Sequence, residues 1–372
     1  MQEPKTFTCG ICHRSYPAAQ RIRFGDTDLC PNCYEQETTT CDHCGERIWA
    51  EDAVSDSWRT LCMECYDNHY TRCTRCNSLI AYDNAYYPDG CDDEPYCQNC
   101  DPDTDRGESI YSYNHKPTPI FYGEGMRYFG VELEIDGAGE SSDNADTLLS
   151  IANETVEHIY CKRDGSLEDG FEIVTHPMTM QYHTHQMPWE LLMENAVHLG
   201  YRSHQTDTCG LHIHVNRCSL GSDEAHQESA IARILFFVEN HWNELLRFSR
   251  RTQGQMNQWA ARYGRKDNPK EQIKHVKAQY SDRYRAVNLE NYTTIEFRLF
   301  RGTLRYNTLI AALQFVNEVC EAACSLSDRE LEELTWSDFV ARIESRGNPE
   351  LVRYLKERRL FINDPTPGEE EL

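Results

Sequence analysis

Six Cys-x-x-Cys pairs stand within the first hundred of the chain's 372 residues, and they restrict what that part can fold into more than any other feature. They are Cys9/Cys12, Cys30/Cys33, Cys41/Cys44, Cys62/Cys65, Cys73/Cys76 and Cys97/Cys100. The gaps between pairs run 17, 7, 17, 7 and 20 residues, so a unit starting at positions 9, 41 and 73 repeats with a period of 32. Such a unit is too short to bury a self-sufficient core and has to be cross-linked. Two pairs per unit suit four thiolates around one zinc ion, with folding coupled to metal binding. A disulfide framework is the alternative. The close pairing, with no basic-then-apolar signal segment in MQEPKTFTCG, favours zinc and a cytoplasmic setting.

The sequence around the pairs repeats as well, in LCPNCYEQ, LCMECYDN and YCQNCDPD. The units resemble tandem zinc ribbons or LIM-like modules over residues 1–36, 37–68 and 69–104. The regular period pairs knuckles within a unit, not across units, and leaves Cys91 as a bystander. Three four-thiolate sites would add about −2 each to a formal net charge of −24. That field disfavours nucleic acid and anionic membranes, and it favours amines and divalent metals. Through Gly107 there are 9 Lys and Arg against 20 Asp and Glu. An array so acidic is expected to pack on a protein or to brace its neighbour. No apolar run reaches the length of a membrane span.

Asp, Pro and Gly cluster over Asp101–Gly125, and the aromatic side chains there (Tyr111, Tyr113, Phe121, Tyr122) predict a linker, 105–127, packed on the next domain. That domain, 128–326, opens with YFGVELEID. Period-two alternation puts Val131, Leu133 and Ile135 on one face of a strand and Glu132 and Glu134 on the other. Like charges held that close are best tolerated with a cation between them.

Three later segments repeat the device. A helix is expected over Asn144–Ile159, capped by Ser142 or Asp143, and Asp164-Gly165 then signals a turn. In the following run, Glu172 stands among Phe171, Ile173 and Val174, where a buried ion pair or a metal explains it equally well. After a helix over Pro188–Leu199, CGLHIHVN presents His212 and His214 on one strand face as candidate nitrogen ligands. One long helix is expected over Glu224–Phe248. The basic stretch Arg250–Lys277 then reads as a flexible cover that lends positive charge to a phosphate-bearing ligand. In Thr294–Phe300, Glu296 and Arg298 share a face, with Arg301 just past the strand. Acid and arginines together suit a metal and the phosphate oxygens it bridges. Further helices run to Phe361, and an acidic tail completes 327–372.

Taken in order, YFGVELEID, DGSLEDGFEIVTHP, CGLHIHVN and NYTTIEFRLFRGTL resemble the phage-type amidoligases of the carboxylate-amine ligase superfamily, to which glutamine synthetase and gamma-glutamylcysteine synthetase belong. The resemblance implies an α+β fold in which a curved antiparallel sheet with flanking helices forms the catalytic domain, here preceded by three small zinc modules. It implies Mg2+ or Mn2+ on Glu132, Glu134, Glu172, His212 and Glu296. It places His214 and Asn216 near ATP, Arg298 and Arg301 on the transferred phosphoryl group, and Glu134 by the incoming amine. The implied activity is ATP-dependent joining of a carboxylate to an amine, peptides or proteins among the substrates, through an acyl phosphate. Two other readings stay open: an inactive zinc-array adaptor that binds a protein partner, and a metal-dependent hydrolase.

Overall fold

The computed structural model describes residues 6–87, 94–97, 100, 108–113, 115–279 and 283–361. Cys91 and the acidic tail lie outside the described residues. Two compact units form: residues 1–106 with 114–118, and residues 107–113 with 119–372.

The first unit is built from two-stranded antiparallel hairpins, such as Thr6–Thr8 with Ser15–Pro17 and Thr38–Thr40 with Arg47–Trp49. Short helices follow the second knuckle of the first two repeats, at Pro31–Glu37 and Met63–His69. The knuckle cysteine caps each helix. Cys30 Sγ accepts from Cys33 N at 3.4 Å, and Cys62 Sγ from Cys65 N at 3.3 Å. The twelve cysteines gather within a repeat into three groups: Cys9/12/30/33, Cys41/44/62/65 and Cys73/76/97/100. Sγ atoms of facing knuckles lie 4.0, 3.9 and 3.8 Å apart. A tetrahedron with Zn–S of 2.3 Å has an edge of about 3.8 Å, so each group could hold one zinc ion. Burial works against ionising Cys9 and Cys41, but backbone N–H donors outweigh it and bring both thiols down to about 6.

The second unit carries its sheet on six strands: β1 (Phe129–Asp136), β2 (Ile159–Lys162), β3 (Gly170–Thr175), β4 (Gly210–Asn216), β5 (Val287–Asn288) and β6 (Thr294–Arg301). All neighbours are antiparallel, in the order β2-β3-β1-β4-β6-β5. One face is apolar and fully buried, with Val131, Leu133, Ile135, Ile173, Ile213 and Phe297 at 0% exposure. The helices of this unit are α1 (Ser142–Ala152), α2 (Met180–His185), α3 (Trp189–His198), α4 (Glu224–Asn240), α5 (Trp242–Ser249), α6 (Gln253–Trp259), α7 (Pro269–Lys277), α8 (Tyr306–Ser325), α9 (Asp328–Glu333), α10 (Trp336–Ser345) and α11 (Pro349–Glu357). Among the described residues no helix is long and apolar enough to cross a membrane.

Four expectations are corrected. The helix expected over Asn144–Ile159 is α1, capped by Ser141 and ending at Ala152. Asn153 stops it by accepting from His158 N and Ile159 N while donating to Ile159 O, which starts β2 instead. The single helix over Glu224–Phe248 is broken at His241 (φ −107°, ψ 30°) into α4 and α5. The expected flexible cover over Arg250–Lys277 contains α6 and α7, the first closed by a Thr252/Gln255 capping box and the second started by Asn268 and Pro269. Arg301 is the last residue of β6, not a residue beyond it.

Candidate active site

The polar face of the sheet gathers side chains from all six strands, and the ladder fixes which of them meet. Glu132 is opposite His212 on β4, and Glu134 is opposite Glu172 on β3. Lys162 is opposite Glu172, and His214 is opposite Glu296. Glu132 lies 3.2 Å from His212 Nδ1 and 3.3 Å from His214 Nε2. Glu296 lies 3.6 Å from His212 Nδ1, accepts from Asn288 Nδ2 at 2.8 Å and pairs with Arg298 at 2.5 Å. His212 Nε2 is 3.8 Å from Glu134, whose other oxygen accepts from Gly210 N. Glu134, Glu172, His212 and Glu296 are all buried.

Two overlapping triads have ligand atoms close enough to share a cation: Glu132/His212/Glu296 and Glu134/Glu172/His212. Their oxygen and imidazole donors suit Mg2+ or Mn2+. Glu172 Oε2 and His214 Nε2 are buried beside charged partners, Lys162 Nζ at 3.0 Å and Glu132 at 3.3 Å. The electrostatics split the carboxylates. Burial, with Glu132 close by, holds Glu172 well above the usual carboxylate range. Burial also raises Glu134. It opposes ionisation of Glu132 and Glu296 too, but there the His214 charge prevails and both fall.

The remaining site residues named from sequence are placed as follows. Asn216 gives its amide to the backbone, donating to Met126 O and accepting from Tyr128 N, which ties the end of β4 to the start of β1. Arg301 directs its guanidinium at the carbonyls of Arg250 and Thr206, and no ion pair links it to the carboxylates among the described residues. A register shift between Leu211 and Ile213 gives β6 one extra residue and leaves Arg301 opposite Gly210.

Two residues at the site escaped the sequence reading. Lys162 on β2 lies 3.0 Å from Glu172 and 3.8 Å from Glu132. Arg251, buried just after α5, donates to Phe300 O, and burial brings its pKa down to about 10. Gly210 shows how tightly this corner is filled. A Cβ there would come within 2.7 Å of Arg251 and 2.8 Å of His212. The alternation Tyr160-Cys161-Lys162 was the available signal for the lysine, while Arg251 carried none beyond its charge.

Comparison with known families now bears on this geometry. Residues 141–320 match the family described as "Putative amidoligase enzyme". The match covers just under half of the chain. It includes Lys162, Glu172, His212, His214, Arg251, Glu296 and Arg298, and it begins after Glu132 and Glu134. Among solved structures, the complex of the prokaryotic ubiquitin-like protein Pup with its ligase PafA aligns at 9% identity and a TM-score of 0.32. That alignment covers 63% of this chain and 62% of that one, less than two thirds of its length. No curated protein sequence matches significantly.

Proposed function

We propose that the chain is an ATP-dependent carboxylate-amine ligase that forms an amide or isopeptide bond through an acyl phosphate, on a sheet of the glutamine synthetase type. The observation that carries the reading is the meeting of four carboxylates, two imidazoles and Arg298 on one polar sheet face, inside the segment's amidoligase match and its immediate strand neighbour. Mg2+ or Mn2+ held by Glu132, Glu134, Glu172, His212 and Glu296 would neutralise the phosphates of ATP.

The chain's own residues supply the rest. Arg298 is anchored through Glu296 and keeps a buried Nε–H without a partner, a donor available to the phosphoryl group in transfer. A substrate carboxylate oxygen bonds to the γ-phosphorus as the bond to the ADP oxygen breaks. The amine nitrogen then attacks the acyl carbon, and inorganic phosphate leaves. Glu134 is proposed to take the amine proton. His214 orients Glu132, and Lys162 balances Glu132 and Glu172. The cysteine repeats are proposed to bind three zinc ions and to dock a protein.

The test is a screen of acid and amine pairs, peptides included, for Mg2+-dependent ADP release matched one to one by amine loss. ADP release that ignores the amine, or turnover of a substrate without ATP, would overturn the reading.

A further inference from the structure

A second polar cluster lies beyond the carboxylates, where β6 ends and α8 begins, and several of its buried donors have no acceptor. Arg250 follows α5 in the left-handed region at φ 62°. A Cβ is strained in that region, and glycine is the usual occupant. This one is an arginine, and its Nη2 donates to His204 Nε2 at 3.1 Å. Because Nε2 accepts, the proton of this neutral ring sits on Nδ1, and Nδ1 is buried with no partner. Burial and the charges of Arg250, Arg301, Arg358 and Arg305 bring the His204 pKa down to about 4, so the imidazole is a neutral donor at pH 7.

A small cavity adjoins this pair. Arg250, Arg301, Thr308 and Tyr354 line it. Arg301 has both terminal nitrogens on carbonyls, and its Nε–H is left buried and unpartnered. Thr308, 7% exposed, likewise has an unpartnered hydroxyl. It stands in the first turn of α8, a 20-residue helix whose start has no side-chain cap, so the positive end of its dipole adds to the same field. Buried donors left without acceptors are costly, and several gathered in one place mark a ligand rich in acceptors.

We infer that this corner is an oxyanion site for a carboxylate or phosphate group, separate from the metal-binding face and formed by Arg250, His204, Arg301, Thr308 and the start of α8. The cavity is small and receives one oxygen, while the guanidinium and imidazole donors take the others. In a chain of net charge −24 it is a local inversion of sign. Arg358 and the C-terminal helices behind it lie outside the family match, so the site need not follow from the reaction proposed above.

The test is calorimetric titration of the full chain with inorganic phosphate at constant ionic strength, with Arg250→Gly and His204→Phe as the variants. Arg250→Gly relieves the left-handed backbone, so a folding defect does not confuse the outcome. The expected result is one site on the parent, weakened at least tenfold in each variant and unchanged in Glu132→Gln/Glu134→Gln. Acetate should compete if a carboxylate is the natural group, and phosphate alone should bind if a phosphate is. No saturable phosphate or acetate binding by the parent, or equal binding in Arg250→Gly, would overturn the inference.

Discussion

Lys162 is the residue whose removal should be felt most in the resting site. Its ammonium is 12% exposed, against a Glu172 side chain at 2%, and lies 3.0 Å from one carboxylate and 3.8 Å from another. At an effective dielectric near 20 these separations correspond to roughly 5 and 4 kcal/mol of attraction to the ionised carboxylates. Glu172 can shed part of the loss by taking a proton, since its pKa already stands high. Breaking a buried pair by deleting one partner typically costs about 3–5 kcal/mol, and Lys162→Met should fall in that range. For a unit of this size that is a drop in Tm of roughly 10 °C. Burial, the largest single effect, pushes the pKa of Lys162 down, but the attraction of Glu132 and Glu172 together exceeds it and the pKa is raised. Its stabilisation is therefore complete below the unfolded lysine value near 10.4 and is lost only above it, so an assay at pH 7 reads all of it. The assay is calorimetry of the full chain in buffer free of Mg2+ and without chelator, which would strip the cysteine groups. Saturating Mg2+ should recover part of the deficit, because the metal takes over the charge balance. A loss below about 1 kcal/mol in the metal-free protein, or a loss that Mg2+ leaves unchanged, would refute the reasoning.

Three further outcomes are expected. Elemental analysis should find close to three zinc ions per chain, and Cys41→Ser/Cys44→Ser should lose one of them and unfold the middle repeat while the second unit keeps its own transition. Arg298→Lys keeps the charge but loses the planar fork, so turnover should drop roughly a hundredfold or more with little change in ATP affinity. His183 is wholly buried between Trp189 Nε1–H and Phe129 O, and burial brings its pKa to about 4. The unfolded chain then binds the extra proton first, so stability should fall by about 3 kcal/mol as pH drops from 6.5 to 4. His183→Gln should remove that share of the slope in urea titrations.

Much of the sheet was legible because alternation is a short-range signal. Val131, Leu133 and Ile135 against Glu132 and Glu134 define a half-buried strand without knowledge of its neighbours. The same holds for Leu211, Ile213 and Val215 against His212 and His214. The cysteine groups were legible for a similar reason, since a 32-residue period fixes which pairs can meet. Element ends were harder. Leu148, Ile151, Val156 and Ile159 continue a helical spacing, yet Asn153 supplies three hydrogen bonds to the backbone that helix continuation would forgo. His241 breaks α4 from α5 although Trp242 and Leu245 extend the apolar stripe, and it packs on Phe237 one turn back and on Trp336 of α10. Lys162 and Arg251 were out of reach for a different reason. The loop between β2 and β3 is too long to fix a register from its residues, so the lysine's partner emerges only from the ladder. Arg251 comes to the site through a left-handed residue that sequence does not announce.

The central claim is that the polar sheet face holds metal and, through it, ATP. Its most direct test is calorimetric titration of ATP into the full chain and into a folded Glu132→Gln/Glu134→Gln variant, each with and without Mg2+. The account predicts saturable binding to the parent only when Mg2+ is present, and a loss of at least tenfold in affinity in the variant. Equal affinity in both proteins, or binding that does not depend on Mg2+, would contradict it.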